Sequence, residues 1–181
     1  MKKALLILLA SLLVSAPVFA QNTAIDPDKI TYGVQAGLNF QKGVGAFAGA
    51  FAQLPFLMDD MYIQAGAELA IRRSGDNYTS EMRNLYLEIP LHLGYHMFLS
   101  HEFSLFADAG PYAGIALVRT NCAHFDLHHQ NILDVGLGVN IGAELMEAFR
   151  VSIGYDFGFI PTFKKEHPHN RGPKITLGYR F

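Results

Sequence analysis

A cysteine count of one, Cys122, excludes any disulfide within the chain. No cysteine follows the apolar run at the N-terminus, which argues against lipoprotein processing. Beyond residue 20 there is no apolar stretch near twenty residues, so no transmembrane helix is expected. Charge imbalance is also scarce. The formal net charge is −2 over 181 residues, which argues against a nucleic-acid partner.

What is present begins with a targeting pattern. Lys2 and Lys3 form a positive n-region, Leu5 to Val14 an apolar run broken only by Ser11, and Val18-Phe19-Ala20 a signal-peptidase site. Residues 1–20 are therefore expected to be a cleaved secretory signal, and residues 21–29 a short polar lead. Residues 30–181 remain for one domain.

That domain alternates with period two almost to its last residue, the signature of strands whose successive side chains point to opposite faces. Ile30, Tyr32, Val34, Ala36, Leu38 and Phe40 oppose Thr31, Gly33, Gln35, Gly37 and Asn39. Ile63, Ala65, Ala67, Leu69 and Ile71 oppose Gln64, Gly66, Glu68 and Arg72. Leu85 to Tyr95 oppose Tyr86, Glu88, His92, Gly94 and His96, and four further segments, to Phe181, repeat the pattern. One segment, Val44 to Leu54, is ambiguous. Its Ala-rich even positions and Gly/Phe odd positions do not declare a face. The expectation is eight strands of about ten residues, the length a tilted strand needs to cross a bilayer.

The connections alternate in length. Pro55–Met61, Phe98–Glu102 and Met146–Phe149 are short; Arg73–Arg83, Val118–Gln130 and Pro161–Gly172 are long. The connection near Gln41–Gly43 is the short exception on the long side. Short turns on one side and long loops on the other suit an all-β, eight-stranded antiparallel up-and-down transmembrane barrel, with both termini on the short-turn, periplasmic side.

A soluble barrel also alternates, so the polar face has to decide. In water it would be dense in Lys, Glu and Thr. Here it is rich in glycine, including Gly33, Gly37, Gly66, Gly94, Gly110, Gly136, Gly142 and Gly178, as crowding inside a narrow barrel would require. The apolar face is nearly free of charge, as hydrocarbon requires. The expected location is the outer membrane of a Gram-negative bacterium.

The last strand ends on Phe181, with Tyr179, Leu177 and Ile175 at steps of two before it. This resembles the C-terminal assembly signal of outer-membrane barrels, so Tyr179 and Phe181 are candidates for recognition by the barrel assembly machinery. Tyr86-Leu87-Glu88-Ile89-Pro90-Leu91, followed by Gly94-Tyr95, resembles the "YLEIPL" strand of the PorT-like outer-membrane barrels. Ala109-Gly110-Pro111-Tyr112-Ala113-Gly114 resembles that family's next strand, and Gly154-Tyr155-Asp156-Phe157-Gly158 also fits. The resemblance covers most of the domain and implies fold and location. It implies little about function, because most members are known only as barrels. The family's usual basic residue near the end of the first motif is absent here, where His92, Leu93 and Gly94 stand, so a different interior pairing is expected.

Parity places Glu68, Arg72, Glu88, His92, Asp108, Asp134, Glu144, Asp156, Lys174 and Arg180 inside. An eight-stranded barrel is just wide enough to be filled by side chains, and buried charges must be paired. The expectation is a plug of ion pairs, with a narrow proton or ion path as the alternative. Gly136, Gly138 and Gly142 have the wrong spacing for a dinucleotide loop. Cys122, His124, Asp126, His128, His129, His167 and His169 are metal-ligating types, but they match no known spacing, and no cofactor or metal is expected.

Continuing the outward series toward the long loops reaches Lys42, Arg73, Arg83, Arg119 and Arg171, whereas the short turns carry Asp59, Asp60, Glu102 and Glu147. The basic set is a candidate lipopolysaccharide-contacting rim, because Arg grips phosphate through two hydrogen bonds. The function expected is that of a non-catalytic barrel whose long loops bind an extracellular partner. Two alternatives remain: an accessory part of a secretion or surface-assembly machine, and a lipopolysaccharide-modifying enzyme. The last would have to draw on loop residues such as Ser80, His124 and Asp126.

Overall fold

The computed structural model describes residues 29–41, 43–74, 82–100, 102–119, 132–161 and 169–181. Residues 1–28, which include the expected signal, lie outside the described residues. The strands are β1 (Thr31–Phe40), β2 (Val44–Phe56), β3 (Met58–Ser74), β4 (Met82–Ser100), β5 (Phe103–Arg119), β6 (Leu133–Leu145), β7 (Phe149–Pro161) and β8 (His169–Arg180). Each pairs antiparallel with the next, and β8 pairs with β1 to close the barrel. Closure leaves no edge strand unpaired. Among the described residues no helix is long and apolar enough to cross a membrane.

β1 has the expected 10 residues, and the other seven strands, at 12 to 19, are longer than expected. The expected Pro55–Met61 turn shrinks to Leu57, and β8 starts at His169 rather than near Lys174. Polar and proline residues that read as loop, such as Pro55, Asp59 and Asn170, lie in strands.

The barrel is apolar outside and polar inside. Outward-facing Ile141, Ile153 and Leu177 are 60%, 61% and 61% exposed, while Arg72, Asp134 and Glu144 are each 2% exposed. In water this arrangement would leave apolar side chains wet and carboxylates desolvated, so the outer face calls for an apolar medium.

The ambiguous β2 puts its Gly/Phe positions inside: Phe47 is 7% and Phe51 3% exposed, and the alanines face out. The pairing explains the glycines. Phe51 lies across from Gly33, Phe47 from Gly37, Tyr62 from Gly94, Phe106 from Gly142 and Tyr112 from Gly136. A Cβ on any of these glycines would overlap the ring of its partner. Each ring lies down over the neighbouring strand, which fits six rings, counting Tyr86 over Ala70, into a narrow lumen.

The β6–β7 turn has positive φ at both central residues, Met146 (53°) and Glu147 (55°), and is closed by Ala148 N–H donating to Leu145 O at 3.1 Å. Asn-Gly suits that backbone far better than Met-Glu. Replacing Met146 with Asn and Glu147 with Gly together should raise chemical unfolding stability by about 1 kcal/mol. A loss of stability on urea titration would show that the side chains, not the backbone, hold this turn.

Candidate functional site

The interior is a column of three connected tiers. In the upper tier, toward the long connections, β3 delivers Arg72. Its Nε lies 2.6 Å from Glu88 Oε1, and its Nη2 donates to Glu88 Oε2 at 2.7 Å, a two-point grip. Its Nη1 donates to Asp134 Oδ2 at 2.8 Å and to Gln41 Oε1 at 3.2 Å. Asp156 lies 3.9 Å from Nη2. The guanidinium also sits 5.4 Å from the Tyr112 ring centre and 5.7 Å from that of Tyr86. Asn170 Nδ2 donates to Asp134 at 2.9 Å.

In the middle tier Lys174 Nζ reaches Asp156 at 3.0 Å, and Gln35 Nε2 donates to Glu68 at 2.5 Å. His92 Nδ1 donates to Asp108 Oδ1 at 2.9 Å, and Asn140 Nδ2 donates to the same oxygen at 2.6 Å. In the lower tier Arg150 donates to Gln64 at 2.8 Å, approaches Glu144 at 3.4 Å and lies 4.1 Å from the Phe106 ring centre. Arg180 pairs with Glu144, and Tyr62 donates to Asp108 at 3.1 Å, tying the lower tier to the middle one.

All ten residues assigned to the interior by parity lie on the lumen side and join this column. Sequence reasoning left out Arg150, although it stands two residues before the inward Ser152 and shares its face. His96, read as inward but not as part of the set, stacks on Tyr62 at 4.5 Å and lies 3.7 Å from Glu144. A void of about 20 Å3 lies between Glu68, His92, Asp108, Lys174 and Arg150. It has room for about one water molecule.

At the long-connection end Arg73 lies directly across from Arg83, and Arg171 is exposed on β8. The β4–β5 register shifts between Leu85 and Tyr86, and Arg119 stands across from Asn84. Lys42 and the loop residues Ser80, Cys122, His124, Asp126, His128, His129 and His167 lie outside the described residues. At the other end Phe181 N–H donates to Tyr32 O at 2.9 Å, and the Tyr179 ring packs 5.1 Å from that of Phe149.

A closed antiparallel barrel with an ion-paired lumen and an apolar outer wall is an outer-membrane β-barrel, crossing the lipid with its strands. The chain belongs to the family described as outer membrane protein beta-barrel domain, whose model matches residues 14–164. The narrower PorT-like likeness stays a resemblance of motifs. No curated protein matches the chain. Among solved structures it is similar to Neisserial surface protein A, with TM-score 0.58 and 13% identity, covering 83% of this chain and 94% of that one. The outer membrane enzyme PagL gives TM-score 0.54 and 13% identity, covering 82% and 98%. The N-terminal β-barrel domain of Pseudomonas aeruginosa OprF gives 0.50 and 15%, covering 84% and 98%. At these identities the likeness is one of fold.

Proposed function

We propose that this outer-membrane barrel is neither a pore nor a catalyst: it seals its own lumen and acts through its outer end. The long connections, 75–81, 120–132 and 162–168, face the cell exterior and bind a partner there. The basic positions around them meet lipopolysaccharide phosphates. Tyr179 and Phe181 present the closing strand to the barrel assembly machinery. The observation that carries this reading is the column of buried ion pairs, which leaves between Glu68, His92, Asp108, Lys174 and Arg150 a void of only about 20 Å3. A hydrated ion does not pass through a space that holds about one water.

Planar-bilayer recording of the refolded protein tests the sealed lumen, and the expected result is no stable porin-like step. Large, long-lived steps would replace the reading with that of a channel. The fold is shared with an outer membrane enzyme, so the same preparation incubated with lipopolysaccharide provides the second check. A change in the glycolipid's mass, absent from a heat-killed control, would make the chain an enzyme.

A further inference from the structure

Gly138 differs from the lumen glycines that lie beneath phenylalanine and tyrosine rings. A Cβ added there would stand 3.1 Å from His92 Nε2 and 3.2 Å from Asp156 Oδ1. Its lack of a side chain leaves a notch in the lumen wall between the polar ends of two buried side chains. Asp156 comes from β7, directly across from Gly138. His92 comes from β4 and reaches over Gly110 of β5, which lies across from Gly138 on its other side. At Gly110 an added Cβ would stand 2.8 Å from the His92 Cα, so a second glycine clears the path of the ring.

Both side chains are pinned. His92 Nδ1 lies 2.9 Å from Asp108 Oδ1, and the imidazole is 3% exposed. Asp156 Oδ1 lies 3.0 Å from Lys174 Nζ, with its carboxylate 7% exposed. His92 Nε2 has no hydrogen-bond partner among the protein's atoms, and leaving a buried ring nitrogen bare is unfavourable. An ionised carboxylate oxygen only accepts, whereas Nε2 accepts on a neutral ring and donates on a protonated one. Water serves both cases, because it can give one hydrogen to Asp156 and still accept from Nε2 or donate to it. Its usual distance from such partners is about 2.7–3.2 Å. His92 also lines the void of about 20 Å3, space enough for one water.

A metal cation suits the notch less well. Two protein atoms are too few for one. The Lys174 ammonium already holds the same Asp156 oxygen, and a second cation beside it would be repelled. Among the described residues no group of three or more His, Cys, Asp or Glu side chains could hold a metal.

We propose that the Gly138 notch is a binding site for one ordered water molecule, hydrogen-bonded to His92 Nε2 and Asp156 Oδ1. The water joins two halves of the middle tier. On one side Asp108 holds His92 and Asn140 and accepts from Tyr62 of the lower tier. On the other Asp156 holds Lys174 and lies 3.9 Å from Arg72 of the upper tier. Gly138 is a positioning residue for this link, since it keeps the space between the two side chains open.

A crystal structure of the refolded barrel that shows ordered water tests the site. The expected result is one peak within about 3.2 Å of both atoms. Imidazole 15N NMR in micelles gives a second readout. Gly138→Ala should remove the peak and shift the His92 Nε2 resonance. Gly114→Ala should leave that resonance in place, because its added Cβ would meet Glu88 Cγ at 3.2 Å and Asp134 Cβ at 3.7 Å rather than His92. Heat-modifiable migration reports folding of both variants, and the wild-type peak needs neither.

Direct contact between His92 Nε2 and Asp156, or a notch without a peak, would overturn the site. An unchanged His92 resonance in Gly138→Ala would do the same. A peak that gains electron density when potassium in the crystal is replaced by rubidium would make the notch a cation site instead. Each of these results leaves the sealed lumen standing, which conductance decides separately.

Discussion

Arg72→Met should lower the unfolding free energy of the barrel by about 3–5 kcal/mol, the usual consequence of removing one partner from a buried ion pair. The size follows from what the guanidinium holds: Glu88 through two atoms, Asp134 at 2.8 Å and Asp156 at 3.9 Å. The lumen is already short of positive charge. Arg72, Arg150, Lys174 and Arg180 face Glu68, Glu88, Asp108, Asp134, Glu144 and Asp156. Methionine matches the length of the stem and adds no charge, so packing against Tyr86 and Tyr112 is largely kept while the carboxylates lose their partner.

Replacing the whole cluster should behave differently. In the triple variant Arg72→Met, Glu88→Gln, Asp134→Asn no buried charge is left bare at this tier, and most of the lost stability should return. Urea unfolding in detergent micelles, followed by the gel-mobility difference between folded and unfolded barrel, measures both. A single variant within about 1 kcal/mol of wild type would mean the upper tier is hydrated rather than ion-paired.

Most of this architecture could be read from alternation because a membrane barrel enforces it at every position. Seven strands declared their faces through a polar–apolar contrast. β2 did not, since alanine, glycine and phenylalanine are all compatible with lipid. What sorts them is a pairing rule invisible along one strand, that an inward ring needs a glycine or alanine across from it. The composition of the interior site was legible from parity, but the partnerships were not. Arg72 collects carboxylates from β4, β6 and β7, a choice set by strand stagger and barrel closure rather than by spacing in the chain. The β4–β5 register shift between Leu85 and Tyr86 is likewise invisible along one strand. Strand ends were misjudged because side chains beyond the lipid are free to be polar while the backbone ladder continues.

The ring-over-glycine pairs predict that two glycines on the same inner face respond oppositely to the same substitution. Gly94 lies beneath the Tyr62 ring, and an added Cβ would overlap the Cζ and hydroxyl of that ring. The ring has nowhere to swing. It stacks on His96 at 4.5 Å, its hydroxyl donates to Asp108 at 3.1 Å, and Arg150 Nη2 donates to that hydroxyl at 3.4 Å. Gly94→Ala should therefore cost about 1–3 kcal/mol, the range for overpacking a filled interior. At Gly178 an added Cβ would meet Val34 O at 3.4 Å, Arg150 Cβ at 3.5 Å and Gln35 Cβ at 3.7 Å, ordinary contacts. Gly178→Ala should then be neutral or stabilising by about 0.4–1 kcal/mol, because alanine has less freedom to lose from the unfolded chain. A double-mutant cycle separates the ring contact from any backbone preference. In a Tyr62→Ala background the cost of Gly94→Ala should largely vanish, giving a coupling of about 0.5–3 kcal/mol. Equal costs at Gly94 and Gly178, or additive costs for Gly94 and Tyr62, would mean that strand curvature rather than ring packing selects these glycines.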